Sequence, residues 1–391
     1  MAAILRRPRT VAYYVNWAVY DRQHYPSDLP LDKLSHVLYA FAKVNADTGE
    51  VTLSDTYADL EKPLPPCPTC SAPLSGAIPA LVHLRDVHHP HVKLLISIGG
   101  WSFTPAFASA TSTPARRQNF ATSALALIEK LGLDGIDVDW EYPASAEEGE
   151  NLVGLLRELR LKLDAASCSR PDSDGKLVLT IAAPSSPWGA RHMSVARIAP
   201  YLDWFNVMTY DFAGPWCPSA GHASNLFPGT DQEGCTWSVK QAVDMYTAAG
   251  VERKKIVVGC PLFGRQFVGT EGAGKAYRGV GQKGSWEGGV WDWKDLPLRI
   301  GEHGNALVKG GPQKGEKTEV DMRLGASWQY TKEHKGGTFI TWDSMEVVKM
   351  KGQWVKREGL GGIMWWESSS DGKKGREGSV IETVAGILHG L

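Results

Sequence analysis

Eight short apolar runs, with helix-like stretches between most of them, limit this sequence to few folds. The runs are residues 10–16, 35–42, 93–99, a stretch within 131–143, 177–183, 204–210, 255–261 and 361–366. Each looks like a strand buried on both faces of a parallel sheet, apolar within and small or polar at its end. Between them, 113–131 sets Phe120, Ala124, Leu127 and Ile128 at helical spacing ahead of Gly132, and 147–165 carries a stripe of Leu152, Leu155, Leu156 and Leu159. Residues 77–87, 239–249 and 344–358 also read as helices. Strands alternating with helices in this way predict an α/β fold, a (β/α)8 TIM barrel. A chain of 391 residues that is 43% apolar is long enough for one such barrel plus an insertion.

The insertion falls between the seventh and eighth runs, which lie much further apart than a βα unit needs. Residues 268–335 are Gly-rich, hold Trp286, Trp291, Trp293 and Trp328, and include a strand-like piece over 326–331. The expected division is a barrel of 1–267 and 336–391 and a small α+β insertion of 268–335.

The fourth run differs from the others. In Asp134-Gly-Ile-Asp-Val-Asp-Trp-Glu141, acidic and apolar residues alternate. A strand carries alternate side chains on opposite faces, so Asp137, Asp139 and Glu141 line one face and Ile136, Val138 and Trp140 the other. Asp134 has the opposite parity and precedes the strand. Three carboxylates crowded on a buried face repel one another, so at least one holds a proton near neutrality. A raised carboxyl pKa is what a catalytic acid needs.

In such a barrel, chemistry sits at the C-terminal ends of the strands. Polar and aromatic residues cluster there: Tyr14 and Trp17 at run one, Gly99-Gly100-Trp101 at run three, Glu141 at run four, and Met208-Thr-Tyr210-Asp211 at run six. Phe263-Gly-Arg265 follows run seven and Trp366-Glu367 ends run eight.

A formal net charge of −1 with no basic run gives no footprint for nucleic acid or an anionic membrane, and no apolar run reaches membrane-spanning length. An uncharged partner is expected. Fifteen tryptophans suit the apolar faces of sugar rings. The N-terminus lacks the apolar stretch of a signal peptide and no Asn-x-Ser/Thr sequon occurs, so a cytoplasmic protein is expected, or a secreted one if a leader precedes this sequence. Cys217 and Cys235 could pair in an oxidising compartment. Cys67 and Cys70 form a lone Cys-x-x-Cys in a Pro-rich stretch, read here as a loop lacking the second pair or histidines of a zinc site. No metal and no cofactor are expected.

Ser97-Ile-Gly-Gly100, the Asp134 to Glu141 element, Met208-Thr-Tyr210-Asp211-Phe-Ala-Gly214 and Gly362-Ile-Met-Trp-Trp366-Glu together resemble the signatures of glycoside hydrolase family 18 chitinases, most closely fungal ones with an α+β insertion. The resemblance spans about residues 10 to 388. It implies retaining hydrolysis of β-1,4 bonds between N-acetylglucosamine units of chitin and chitooligosaccharides, endo-acting, without a cofactor and in a monomer. It implies that Glu141 is the general acid and that the substrate's 2-acetamido carbonyl is the nucleophile, giving an oxazolinium ion. Asp139 would hold the acetamido N–H, Asp137 would share a proton with Asp139, and Tyr210 would donate to the acetamido oxygen, with Asp211 beside it. Trp366 would floor the pocket of the sugar before the bond and Trp17 a site further to the non-reducing side. Trp101 and Trp216 would serve the leaving-group side, Met208 the pocket wall and Arg265 the buried sugar. Phe263 departs from the pattern, where many relatives have Tyr. The alternatives are a chitin-binding lectin, which would lose the acid that Glu141 provides, and an endo-β-N-acetylglucosaminidase, which would not need tryptophans on both sides of the bond.

Overall fold

The computed structural model describes residues 7–168, 176–296, 316–332, 336–372 and 378–390. Eight strands fall close to the expected runs: β1 (Arg9–Val15), β2 (His36–Val44), β3 (Lys93–Gly99), β4 (Gly135–Asp139), β5 (Val178–Ala183), β6 (Trp204–Val207), β7 (Ile256–Pro261) and β8 (Gly362–Trp366). They lie in one sheet in the order β1-β8-β7-β6-β5-β4-β3-β2, and β1 also pairs with β2, which closes it. The pairings from β1 through β6 by way of β2, β3, β4 and β5 are parallel. This is the (β/α)8 barrel that the alternation predicts. A short strand, Val51–Leu53, adds antiparallel to β2.

Among the described residues, six longer helices complete the pattern: α1 (Ala77–His88), α2 (Pro114–Leu131), α3 (Ala146–Ser167), α4 (Val239–Ala248), α5 (Met345–Arg357) and α6 (Val380–His389). Their starts follow local chemistry. The Thr113, Ser145, Ser344 and Ser379 hydroxyls accept backbone N–H groups from the first turns of α2, α3, α5 and α6, satisfying donors that a helix cannot pair internally. Gly132, with φ of 68°, ends α2 in the left-handed conformation.

The chain divides into two compact units. One comprises Arg9–Val207 and Tyr246–Val257, the other Met208–Met245 and Val258–Leu391 with the N-terminal residues to Pro8. In the first, Asp134 anchors the entrance to β4. Its carboxylate accepts the Leu94 N–H at 2.9 Å and pairs with Arg85 at 2.9 Å and Lys93 at 3.4 Å. Arg85 Nη1 also donates to the Gly132 carbonyl at 2.9 Å. Asp134 is therefore an anchor apart from the carboxylate row, as its parity requires.

Among the described residues of the second unit, five antiparallel strands run in the order Val290–Asp292, Phe263–Thr270, Gly337–Trp342, Ala326–Thr331, Glu316–Asp321. This sheet begins before residue 268 and ends after 335, so it takes in sequence on both sides of the expected insertion. Phe267 and Phe339 are its buried centre, with Trp328, Tyr277 and Tyr330 packed around them. Of the tryptophans expected there, Trp293 is buried and Trp286 exposed. In the same unit, Lys351 and Asp343 form a fully buried ion pair, to which Ser224 adds its hydroxyl and its carbonyl.

Candidate active site

The strand β4 stops at Asp139, so Glu141 stands two residues beyond it and not on the strand as expected. The chain leaves the ladder after Asp139. Trp140 turns into the core, stacked on Phe107 at 5.4 Å between ring centroids, and Glu141 emerges half-buried. The Glu141 N–H donates to Thr104 Oγ1 at 2.9 Å, which fixes the backbone at the exit. Its peptide bond to Tyr142 is cis, as are Ala40–Phe41 and Trp366–Glu367.

Asp137 is fully buried and saturated with donors. Tyr13 and Ser97 hydroxyls donate to Oδ2, each at 2.8 Å, and the Thr180 hydroxyl at 2.5 Å and Asn206 Nδ2 at 3.2 Å donate to Oδ1. Strand register explains this meeting: Ser97, Asp137 and Thr180 sit level on β3, β4 and β5. Burial raises the Asp137 carboxyl above the ordinary carboxylate range despite these four donors, which pull it down. Asp139 is pushed up much further, first by burial and then by the charges of Glu141 and Asp137. The two aspartates cannot both ionise cheaply, so the row favours keeping a proton near neutrality.

Asp139 Oδ1 is buried and has no hydrogen-bond partner among the described residues. A buried, unpaired acceptor costs about 1–3 kcal/mol, so this oxygen is an open place for a donor. Gly99 and Gly100 close the wall beside it. Gly99 has φ of 121°, and a Cβ there would lie 2.1 Å from the Asp139 carbonyl oxygen. Gly100 has φ of 82° and donates its N–H to that oxygen at 2.9 Å. Only glycine allows strands to meet this closely.

Of the aromatic residues expected nearby in the same unit, Trp17 is partly exposed and packs by Phe41, and Trp101 is 74% exposed. Tyr14 lies in the core. Its ring stacks on Tyr39 and its hydroxyl donates to the His24 carbonyl at 2.9 Å.

In the second unit, the segment after β6 gathers another group. Met208 and Tyr210 are buried, and Tyr210 meets Phe263 edge-on at 6.0 Å. Asp211, with φ of 59°, accepts from Arg265 Nε at 2.6 Å. The pair holds the guanidinium above its usual pKa, against the opposing effect of burial. Arg265 in turn lies 4.9 Å from the Trp216 ring centre and 5.5 Å from that of Phe263, a double cation–π contact. Trp216 is otherwise largely exposed. Trp366 is half-buried at the end of β8. Glu367 is no second acid: its oxygens accept the Ser369 N–H and the Ser369 and Ser370 hydroxyls, capping a turn.

Tyr13, Ser97, Thr180, Asn206 and Thr104 were not singled out for the site by the sequence reading. A signal existed for three. Ser97, Thr180 and Asn206 each interrupt an otherwise apolar run, and a polar side chain inside a buried strand needs a partner.

All six cysteines are free thiols, including Cys217 and Cys235. The reading of Cys67-x-x-Cys70 as a loop without histidines is overturned. His83 and His88 of α1 stand beside it, and the four side chains offer two sulfurs and two ring nitrogens that all lie within 4.8 Å of one another. The histidines escaped notice because they come 13 and 18 residues after Cys70, within the helical pattern.

Comparison with known proteins gives the family. The model of the family described as glycosyl hydrolases family 18 matches residues 9–371. Chitinase 1 of Aphanocladium album is 35% identical over 378 residues, covering 96% of this chain and 84% of that protein. Endochitinase 1 of Metarhizium robertsii is 35% identical over 381 residues, covering 97% and 84%. Among solved structures, chitinase ChiA74 from Bacillus thuringiensis superposes with a TM-score of 0.83 at 26% identity, covering 98% of this chain and 70% of that one. With the family matched across nearly its whole length and the Asp137, Asp139 and Glu141 row in place, this chain belongs to the glycosyl hydrolases of family 18.

Proposed function

We propose that the chain is a chitinase that hydrolyses β-1,4 bonds between N-acetylglucosamine units, within chains of chitin or chitooligosaccharide, with retention of configuration and with the substrate's acetamido group as nucleophile. The observation that carries this reading is the unpaired, buried Asp139 Oδ1, held between Asp137 and Glu141. An acetamido N–H is the donor it lacks.

The steps follow from the residue types. The acetamido oxygen attacks the anomeric carbon as the bond to the leaving sugar breaks, and the proton on Glu141 passes to the leaving oxygen. Positive charge on the resulting oxazolinium nitrogen is met by Asp139, which is easier to ionise then because Asp137 can hold the shared proton. Water next gives a proton to the Glu141 carboxylate and its oxygen bonds to the anomeric carbon, opening the ring and restoring the β-anomer. Tyr210 donates to the acetamido oxygen and Met208 walls the pocket. Trp366, Trp17, Trp101, Trp216 and Arg265 bind sugars of the chain, and the match to proteins named chitinase supports the substrate class. The test is the anomer formed first from a chitin hexamer, followed by NMR, together with inhibition by a thiazoline analogue of N-acetylglucosamine. An α-anomer, or indifference to the thiazoline, would overturn the mechanism.

A further inference from the structure

The segment between β2 and β3 holds four potential metal ligands that the hydrolytic chemistry does not use. Cys67, Cys70, His83 and His88 are spaced Cys-x2-Cys-x12-His-x4-His. Two-Cys, two-His zinc modules share this spacing, and it is far more specific than a Cys-x-x-Cys alone. The local fold matches as well. Pro63–Leu64 pairs antiparallel with Leu74–Ser75, and helix α1 follows at once from Ala77, so the order is strand, strand, helix. The two thiols stand at the turn of the hairpin and the two imidazoles on the helix, five residues apart and so on neighbouring turns.

The geometry is that of one coordination sphere. Cys70 Sγ lies 3.3 Å from His83 Nε2, and Cys67 Sγ 3.5 Å from His88 Nε2. A tetrahedral zinc with bonds of about 2.3 Å to sulfur and 2.0 Å to nitrogen needs ligand atoms about 3.3 to 3.8 Å apart. Thr69 Oγ1 sits 2.7 Å from His88 Nε2 and 3.3 Å from Cys67 Sγ, so with the nitrogen bound to metal its proton is free to support the sulfur. The surroundings make the case for a structural role. The hairpin is poor in buried apolar side chains, the Cys67 Sγ is among its few buried groups, and α1 faces the core with Ile78, Leu81 and Leu84.

We infer that Cys67, Cys70, His83 and His88 bind one divalent zinc ion in a closed, tetrahedral, structural site that fastens the 62–76 hairpin to α1. Two sulfurs and two nitrogens suit zinc better than magnesium, calcium or manganese, which prefer oxygen. Binding displaces a proton from each thiol and leaves no open position for substrate or water, so the ion takes no part in hydrolysis.

The test uses the full-length chain, untagged and purified without chelator. Elemental analysis should find close to one zinc per chain, and exchange into cobalt should give the visible bands of a tetrahedral dithiolate centre. Cys70→Ser and His83→Ala should each lower zinc content at least tenfold after dialysis against a mild chelator, whereas Cys168→Ser, at an exposed cysteine elsewhere, should keep it. If the ligand variants do not fold, the zinc content and cobalt spectrum of the unaltered chain decide. Zinc below a tenth of an equivalent together with no cobalt spectrum, or full zinc retention in both ligand variants, would overturn the assignment.

Discussion

The Tyr13 hydroxyl donates to Asp137 Oδ2 across 124 residues of sequence, joining β1 to the middle of β4. This bond favours the ionised form of Asp137, against burial, which favours the neutral one. Removing it with Tyr13→Phe therefore raises the Asp137 pKa. The acid limb of the kcat/KM profile is expected to move to higher pH, and the buried oxygen left short of a donor should cost about 1–3 kcal/mol of stability. An unmoved acid limb in a variant with the expected loss of stability would show that the bond serves the fold alone.

Glu141→Gln removes the only proton donor assigned to the leaving oxygen. General acids contribute about 10²- to 10⁴-fold, so turnover of chitin oligomers is expected to fall by at least that range while binding persists. Asp139→Asn tests the other half of the argument. It removes the acceptor for the acetamido N–H and should lower kcat much more than it raises KM, as measured on a chitin tetramer. A variant at 141 with near-normal turnover contradicts the assignment.

Trp101 and Trp216 are not equivalent probes of the proposed leaving-group side. Trp216 also faces Arg265, so its loss disturbs the Arg265–Asp211 pair. Among the described residues no cation–π contact involves Trp101, and at 74% exposure it is the cleaner substitution. An aromatic platform of this kind is worth about 0.5–1.5 kcal/mol, so Trp101→Ala should lose about two- to tenfold in kcat/KM on polymer and little on a short aryl glycoside. Equal losses on both substrates would remove Trp101 from the polymer path.

His222 should make the fold sensitive to acid. It is buried against Phe339, and burial pushes its pKa down to about 4, although the charges of Asp321 and Glu233 pull the other way. The unfolded chain binds its proton near pH 6.5. The folded state therefore holds fewer protons between these values, and stability present above pH 6.5 declines as the pH falls toward 4, by at most about 3 kcal/mol. Urea midpoints at pH 7 and pH 4.5 should converge more in His222→Gln than in the parent. The same pH dependence in both would exclude His222 as the source.

The barrel was legible because burial on both faces leaves a mark on every strand, and the runs at 93–99 and 255–261 carry that mark almost residue for residue. The carboxylate row was legible for the opposite reason, since charge inside such a run is conspicuous. Less visible were features that depend on which strands are neighbours. Thr180 is an unremarkable residue until register sets it level with Asp137. Tyr14 lies near Trp17 in the chain, yet its side chain is buried in the core, which the sequence did not show. His83 and His88 were hidden by their surroundings, because a histidine on a helix advertises nothing until a pair of cysteines folds back on it.

Arg85 gives those histidines a wider setting. It lies between them in sequence, and its Nη1 grips both the Gly132 carbonyl and the Asp134 carboxylate at the threshold of β4. The hairpin segment is thus no pendant attached to a finished barrel: its helix is braced against the root of the strand that ends in Asp139. Whatever holds the hairpin to α1 also helps to keep that root in place, and trimming the segment away to make a minimal enzyme would take out one of the struts beneath the strand of the carboxylate row.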